Sequence, residues 1–135
     1  MPMVKAMLQS HPEQSLHADL DKLVACIRAC QECAQACTTC ADACLSEPTV
    51  AALTRCIRTD LSCSEVCRAT AAVLSRSPEG DGRIVSALLE ACAQACAVCA
   101  EECERHAEMH EHCRICAEAC RTCERVCRDL IGTPS

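Results

Sequence analysis

The sequence predicts an all-α fold: an antiparallel, up-down-up-down four-helix bundle with a short N-terminal helix and a cysteine-lined core. Three observations predict it. The 135-residue chain carries 18 Cys and no Phe, Tyr or Trp. Most of the cysteines follow one another at alternating gaps of three and four residues, the spacing that stacks side chains on one stripe of an α-helix. Gly and Pro number only three and five, so breaks are few and elements long. The length suits one domain spanning residues 1–135.

The elements follow in order. "VKAMLQS", residues 4–10, can form a short helix, α1. The next helix, α2, is expected over 16–46, with a seam of Leu23, Cys26, Cys30, Cys33, Cys37, Cys40 and Cys44. "SEPT" interrupts it, and Pro48 suits the first turn of a following helix. That helix, α3, is expected over 49–76 on Ala52, Cys56, Asp60, Cys63, Cys67, Thr70 and Leu74. "SPEGDG" reads as a turn. Then α4 is expected over 81–107 on Val85, Leu89, Cys92, Cys96, Cys99, Cys103 and His106, and α5 over 109–130 on Met109, Cys113, Cys116, Cys120, Cys123, Cys127 and Leu130. The α4–α5 break holds neither Gly nor Pro and is placed where the spacing resets. Short connections favour antiparallel neighbours. Leu20, Leu23, Leu74, Val85, Leu89 and Leu130 replace thiols at one pole, which α1 is expected to cover.

Charge and composition exclude several functions. A net charge of −6, with no basic stripe and no aromatics, argues against nucleic-acid binding. No run of 18 apolar residues suggests a membrane span. The first residues contain no apolar h-region and no twin arginine, so a cytoplasmic location is expected. Disulfides are rare there, and a cysteine-dense chain points to metal binding or redox chemistry. No nucleophile–base pair, phosphate loop or paired carboxylates suggest catalysis.

Thiols can serve as small core hydrophobes, but 18 on one shared face exceed that need. Cβ atoms three or four apart on a helix lie roughly 5–6 Å apart, too far for a disulfide at about 3.5–4.5 Å. Metal remains, and charge discriminates among metals. Four thiolates around Zn²⁺ leave two negative charges, which are costly to bury. One Cu(I) per thiolate leaves a neutral core, and thiolates select this soft ion. Paired Cys-x2-Cys groups near turns, typical of zinc sites, are missing. "CRICAEACRTC" has a loose Fe–S-like spacing without the proline. An Fe–S or thiol redox protein and a zinc-binding, metallothionein-like chain stay open as alternatives.

The segments "CAQACTTCADACL", "CIRTDLSCSEVC", "CAQACAVCAEECERHAEMHEHCRICAEAC" and "CRTCERVC" resemble the bacterial copper storage proteins, specifically their cytosolic branch. The resemblance covers nearly the whole chain. It implies a homotetramer of four-helix bundles, each filled with many Cu(I) ions held by cysteine thiolates. It extends the ligand role to all 18 cysteines and matches His106 and His110 to family histidines near an open end. With Met109 at the same turn and Asp60 one turn from Cys56, copper is expected to enter at this pole through imidazole, thioether or carboxylate sites. His112 falls off the seam and is placed on the surface.

Overall fold

A computed structural model describes residues 2–12, 19–76 and 82–132. Its α-helices are α1 (Pro2–Gln9), α2 (Leu20–Leu45), α3 (Thr54–Leu74), α4 (Gly82–Glu104) and α5 (Glu111–Ile131), with no strand among the described residues. A 3₁₀ turn, Val50–Leu53, leads into α3. The Asp19 carboxylate caps α2 by accepting from the Lys22 backbone N–H at 3.1 Å, which satisfies one of the open donors of a helix start.

The thiol contacts define the topology. Along α2, Cys26 meets Cys127, Cys30 meets Cys123, Cys33 meets Cys120, Cys37 meets Cys116 and Cys40 meets Cys113. The α5 number falls as the α2 number rises, so these helices are antiparallel. Cys56–Cys103, Cys63–Cys96 and Cys67–Cys92 give the same relation for α3 and α4. Cys30–Cys92, Cys33–Cys96 and Cys37–Cys99 rise together, so α2 and α4 are parallel and face each other across the axis. This is the up-down-up-down bundle, with every thiol on the inward stripe.

Polar side chains at the helix seams are satisfied. Ser64 is buried between α2 and α3; its hydroxyl bonds to Thr38 Oγ1 at 2.7 Å and to the Ala34 carbonyl at 3.1 Å, and it accepts from Arg68 at 2.9 Å. Thr70 donates back to the Val66 carbonyl at 2.8 Å. On the outside, Arg121 forms a two-pronged ion pair with Glu104 across α5 and α4. Such exposed pairs add little stability; burial of the thiol and aliphatic stripe holds the bundle together.

One end of the core is aliphatic. Leu23, Val24, Ile27, Leu74 and Leu89 are buried there, and α1 closes over them with Leu8 buried and Val4 packed alongside. Lys5 ties α1 to α2 through Asp21 at 3.1 Å.

Helix ends depart from the spacing in instructive ways. The 3₁₀ turn has three residues per turn rather than 3.6, which shifts the stripe: Leu53 is buried, and Ala52, expected on the seam, is exposed. Residues 105–109 are turn, so Met109 leaves the α5 seam and α4 stops at Glu104. The expected start of α2 at residue 16 and most of the "SPEGDG" turn lie outside the described residues. The helix α4 is also long and apolar enough, by length and composition, to cross a membrane, at a hydropathy of 1.5 over 18 residues. No uninterrupted apolar run produces this value; alanines and cysteines interleaved with few charges do. In the bundle its Cys92, Cys96, Cys99 and Cys103 face inward and are buried.

Protonated thiols are apolar enough to pack this interior before any metal arrives. The reduced, metal-free protein is therefore expected to be fully helical, and its far-ultraviolet circular dichroism should barely change on loading with Cu(I). A coil-to-helix transition on adding metal would contradict a preformed bundle.

Candidate metal centre

All 18 cysteines are free thiols and all are buried. Each is delivered to the axis by the alternating three-and-four spacing of its helix, because the α-helical repeat returns those positions to one face. The sulfurs group into fours whose members lie within 4.8 Å of one another: Cys40, Cys44, Cys56 and Cys113; Cys37, Cys99, Cys116 and Cys120; Cys33, Cys37, Cys63 and Cys120; Cys33, Cys63, Cys67 and Cys96; Cys30, Cys92, Cys123 and Cys127. The middle three groups share members: Cys37 and Cys120 join the second and third, Cys33 and Cys63 the third and fourth, and Cys67 meets Cys92 of the fifth at 3.8 Å. Cys26 extends the last group through Cys127 at 3.7 Å, and Cys103 joins Cys56 at 3.7 Å and Cys99 at 4.0 Å. The result is one unbroken run of sulfur neighbours along the bundle.

These separations fit metal–thiolate bonding. A metal–sulfur bond of about 2.3 Å sets sulfurs about 3.8 Å apart around a tetrahedral ion and about 4.0 Å apart around a trigonal one. Many neighbouring sulfurs here stand at 3.7–4.0 Å, and the members of each group within 4.8 Å. Distance alone admits either geometry. Charge separates them, since a dense thiolate core is neutralised only when positive ions approach the thiolates in number.

Asp60 lies within this array, one turn inside the Cys56 level, and is fully buried. Its Oδ1 accepts from Cys99 at 3.1 Å, Cys116 at 3.3 Å and Cys103 at 3.5 Å, and its Oδ2 lies 3.9 Å from Cys56 Sγ. Burial, followed by the neighbouring Cys116 and Cys99 sulfurs, pushes its carboxyl up to about 11. In the metal-free core it is a neutral acid among neutral thiols. Burial likewise pushes the Cys44 thiol up to about 11. Metal arriving here must displace protons.

This same pole, opposite the aliphatic end, carries the histidines. His112, expected on the surface, instead turns its Nδ1 toward Cys40 Sγ at 3.5 Å and Cys113 Sγ at 3.6 Å. It precedes Cys113 in the first turn of α5, where helical side chains lean back toward the N-terminus; adjacency to a seam cysteine at a helix start was the available signal. Its Nε2 meets Glu47 Oε2 at 2.9 Å, and His110 Nδ1 meets the same oxygen at 3.2 Å. The two rings stack at 5.4 Å. The hydrogen bond from His112 holds the Glu47 carboxyl below its ordinary range. His106 turns to Glu102 Oε2 at 3.1 Å, and Arg55 meets Glu102 Oε1 at 3.1 Å. Glu102 is itself buried. Met109 is 76 % exposed. Spacing from the cysteine seam revealed neither Glu47 nor Glu102.

A helical bundle with a continuous, buried thiol array along its axis defines a protein that holds many soft metal ions. The comparisons with known proteins agree. The copper storage protein (Csp) family matches residues 19–132, and the chain belongs to that family. Among solved structures it is similar to the copper storage protein Ccsp from Streptomyces lividans loaded with 10 copper equivalents, at 57 % identity and TM-score 0.92 over 95 % of this chain and 97 % of that one. A structure of a cytosolic copper storage protein from Streptomyces lividans, with five coppers, matches at 60 % identity and TM-score 0.83 over 85 % and 96 %. The Cu(I)-bound copper storage protein BsCsp3 matches at 37 % identity and TM-score 0.70 over 80 % and 96 %. No curated protein matches the chain in sequence.

Asp60 generates a prediction about the metal-free protein. Burial raises its folded value to about 11, far above the ordinary carboxyl value of 3.8. The folded form keeps a proton that the unfolded form loses, so its contribution is full below about pH 4 and declines as pH rises toward 11. Asp60→Asn removes this titration. Between about pH 5 and about pH 8 the urea stability of the reduced variant should fall less steeply than that of the wild type, by at most about 1.4 kcal/mol per pH unit. Parallel pH profiles would mean that Asp60 is ionised in the fold.

Proposed function

We propose that this chain sequesters Cu(I) in the cytoplasm, without turnover, by filling the thiol array. The observation that carries the reading is the sharing of thiols between adjacent four-sulfur groups. Shared thiols act as bridges, and bridging thiolates let each sulfur serve more than one ion. Cu(I) is monovalent and soft, so one ion per thiolate compensates the charge created when each proton leaves. The copper-loaded relatives support this choice of ion, and the description of one of them as cytosolic supports the location.

All 18 cysteines are assigned as ligands in this reading. Copper enters at the histidine pole, where His106 and His110 stand before the Cys40, Cys44, Cys56 and Cys113 group. Met109 is assigned to the exposed approach and Asp60 to the first interior turn. Among the described residues, the opposite pole buries Leu, Ile and Val side chains beyond the last thiols, which plug that end. The further assignment of a homotetramer rests on the family resemblance and on the row Leu53, Ile57 and Leu61, which runs from the core to a leucine 48 % exposed on α3.

Capacity tests the reading. Anaerobic titration of the reduced protein with Cu(I), followed by metal analysis, should reach on the order of 18 ions per chain if charge neutrality sets the loading. Saturation at about four or five ions would indicate isolated four-thiolate clusters and would sink the proposal.

The route has its own test. Replacing His106 and His110 together with alanine should slow Cu(I) uptake and removal by a chelator far more than it lowers capacity, since every thiol remains. Unaltered rates in the double variant would show that copper enters elsewhere.

A further inference from the structure

Two imidazoles at the thiol mouth share one carboxylate oxygen. Glu47 stands in the turn after α2, where its backbone N–H bonds to the Cys44 carbonyl at 3.2 Å and its carbonyl accepts from the Val50 N–H at 3.2 Å. The turn aims its side chain at α5. There Oε2 lies 2.9 Å from His112 Nε2 and 3.2 Å from His110 Nδ1.

An ionised carboxylate only accepts, so each imidazole must donate the proton it presents to that oxygen. In its neutral form His112 carries its hydrogen on Nε2 and keeps a lone pair on Nδ1, and neutral His110 carries its hydrogen on Nδ1 and keeps a lone pair on Nε2. One carboxylate thus imposes opposite tautomers on two stacked rings. The consequence differs for each. The His112 lone pair faces Cys40 Sγ at 3.5 Å and Cys113 Sγ at 3.6 Å, at the outermost sulfur group.

We propose that Glu47 is a positioning residue: by fixing the tautomers of His110 and His112 it presents the His112 Nδ1 lone pair to the outermost thiols, so that an incoming Cu(I) meets an imidazole nitrogen and two sulfurs together. The inference rests on the copper-storage reading and deepens it. The physical basis is general. A metal-binding imidazole is oriented by the acceptor on its other nitrogen, which fixes the tautomer and raises the basicity of the ligating atom. Without Glu47, a neutral His112 is free to place its hydrogen on Nδ1, pointing an N–H rather than a lone pair at the mouth.

The tautomers are read directly by long-range proton–nitrogen correlation on ¹⁵N-labelled, reduced, metal-free protein. In the wild type, His112 should show a pyridine-type Nδ1 and a pyrrole-type Nε2, and His110 the reverse. In Glu47→Ala both should move to averaged shifts. The initial rate of Cu(I) transfer from a Cu(I)–chelator complex should fall about tenfold. Glu47→Gln keeps the turn and one acceptor oxygen, which can stand in for the single oxygen that both histidines share, so both should hold their tautomers. Circular dichroism and the urea midpoint establish that both variants fold.

Wild-type tautomers in Glu47→Ala, or a wild-type transfer rate in that variant, overturn the proposal. A parallel measurement on His112→Ala separates the levels. Slow transfer in His112→Ala with wild-type transfer in Glu47→Ala removes the role of Glu47 alone. Wild-type transfer in His112→Ala shows that copper bypasses this histidine, and the proposal falls with that part of the reading. A protein that retains no copper at all defeats the storage reading itself.

Discussion

The structure depends on the double character of the thiol. Protonated, it is a small apolar group that packs like alanine with an extra atom. Deprotonated, it is a soft anion that binds soft metals. A core built of aspartate could hold charge but could not fold empty; a core of leucine could fold but could not hold metal. Cysteine on the inward stripe of all four long helices satisfies both demands. The same fact explains the lack of aromatics: a phenyl ring on this axis would separate sulfurs that now stand 3.7–4.0 Å apart.

That choice leaves the bundle with weak apolar density along its thiol length, and the sequence compensates at one end. Leu8, Leu23, Val24, Ile27, Leu74 and Leu89 form an aliphatic plug under α1. Between α2 and α3, close contact is pinned by the Ser64, Thr38 and Arg68 hydrogen bonds rather than by large side chains. The two poles therefore differ in chemistry. One is dry and closed with aliphatics. The other holds His106, His110 and His112 with the carboxylates Glu102 and Glu47.

Asp60 shows how far the array tolerates a polar group. An ionised carboxylate at this depth would be expensive. Four cysteine sulfurs surround it within 3.9 Å, and burial keeps it protonated. The thiols act as hydrogen-bond donors here, a role they lose once metal replaces their protons, so loading changes the environment of this one side chain more than that of any aliphatic neighbour.

The sequence by itself determined the helices and their inward faces. A gap of three or four residues has one geometric meaning in an α-helix, and the alternation from Cys26 to Cys44 states it five times over. The soft-metal chemistry followed from the number of thiols on those faces and from charge. Local spacing lost its grip where the backbone left the 3.6 repeat: Leu53 replaced Ala52 on the inner face after a 3₁₀ turn, and Met109 left the seam in the turn before α5. The mouth could not be read in advance. Glu47 and His112 are 65 residues apart in the chain, and they meet because antiparallel packing of α2 and α5 brings the end of one helix beside the start of the other. Which cysteines share a metal group, which carboxylate faces which imidazole, and that Asp60 is enclosed rather than wetted were decided by that packing, because such contacts join residues whose only relation is position in the folded bundle.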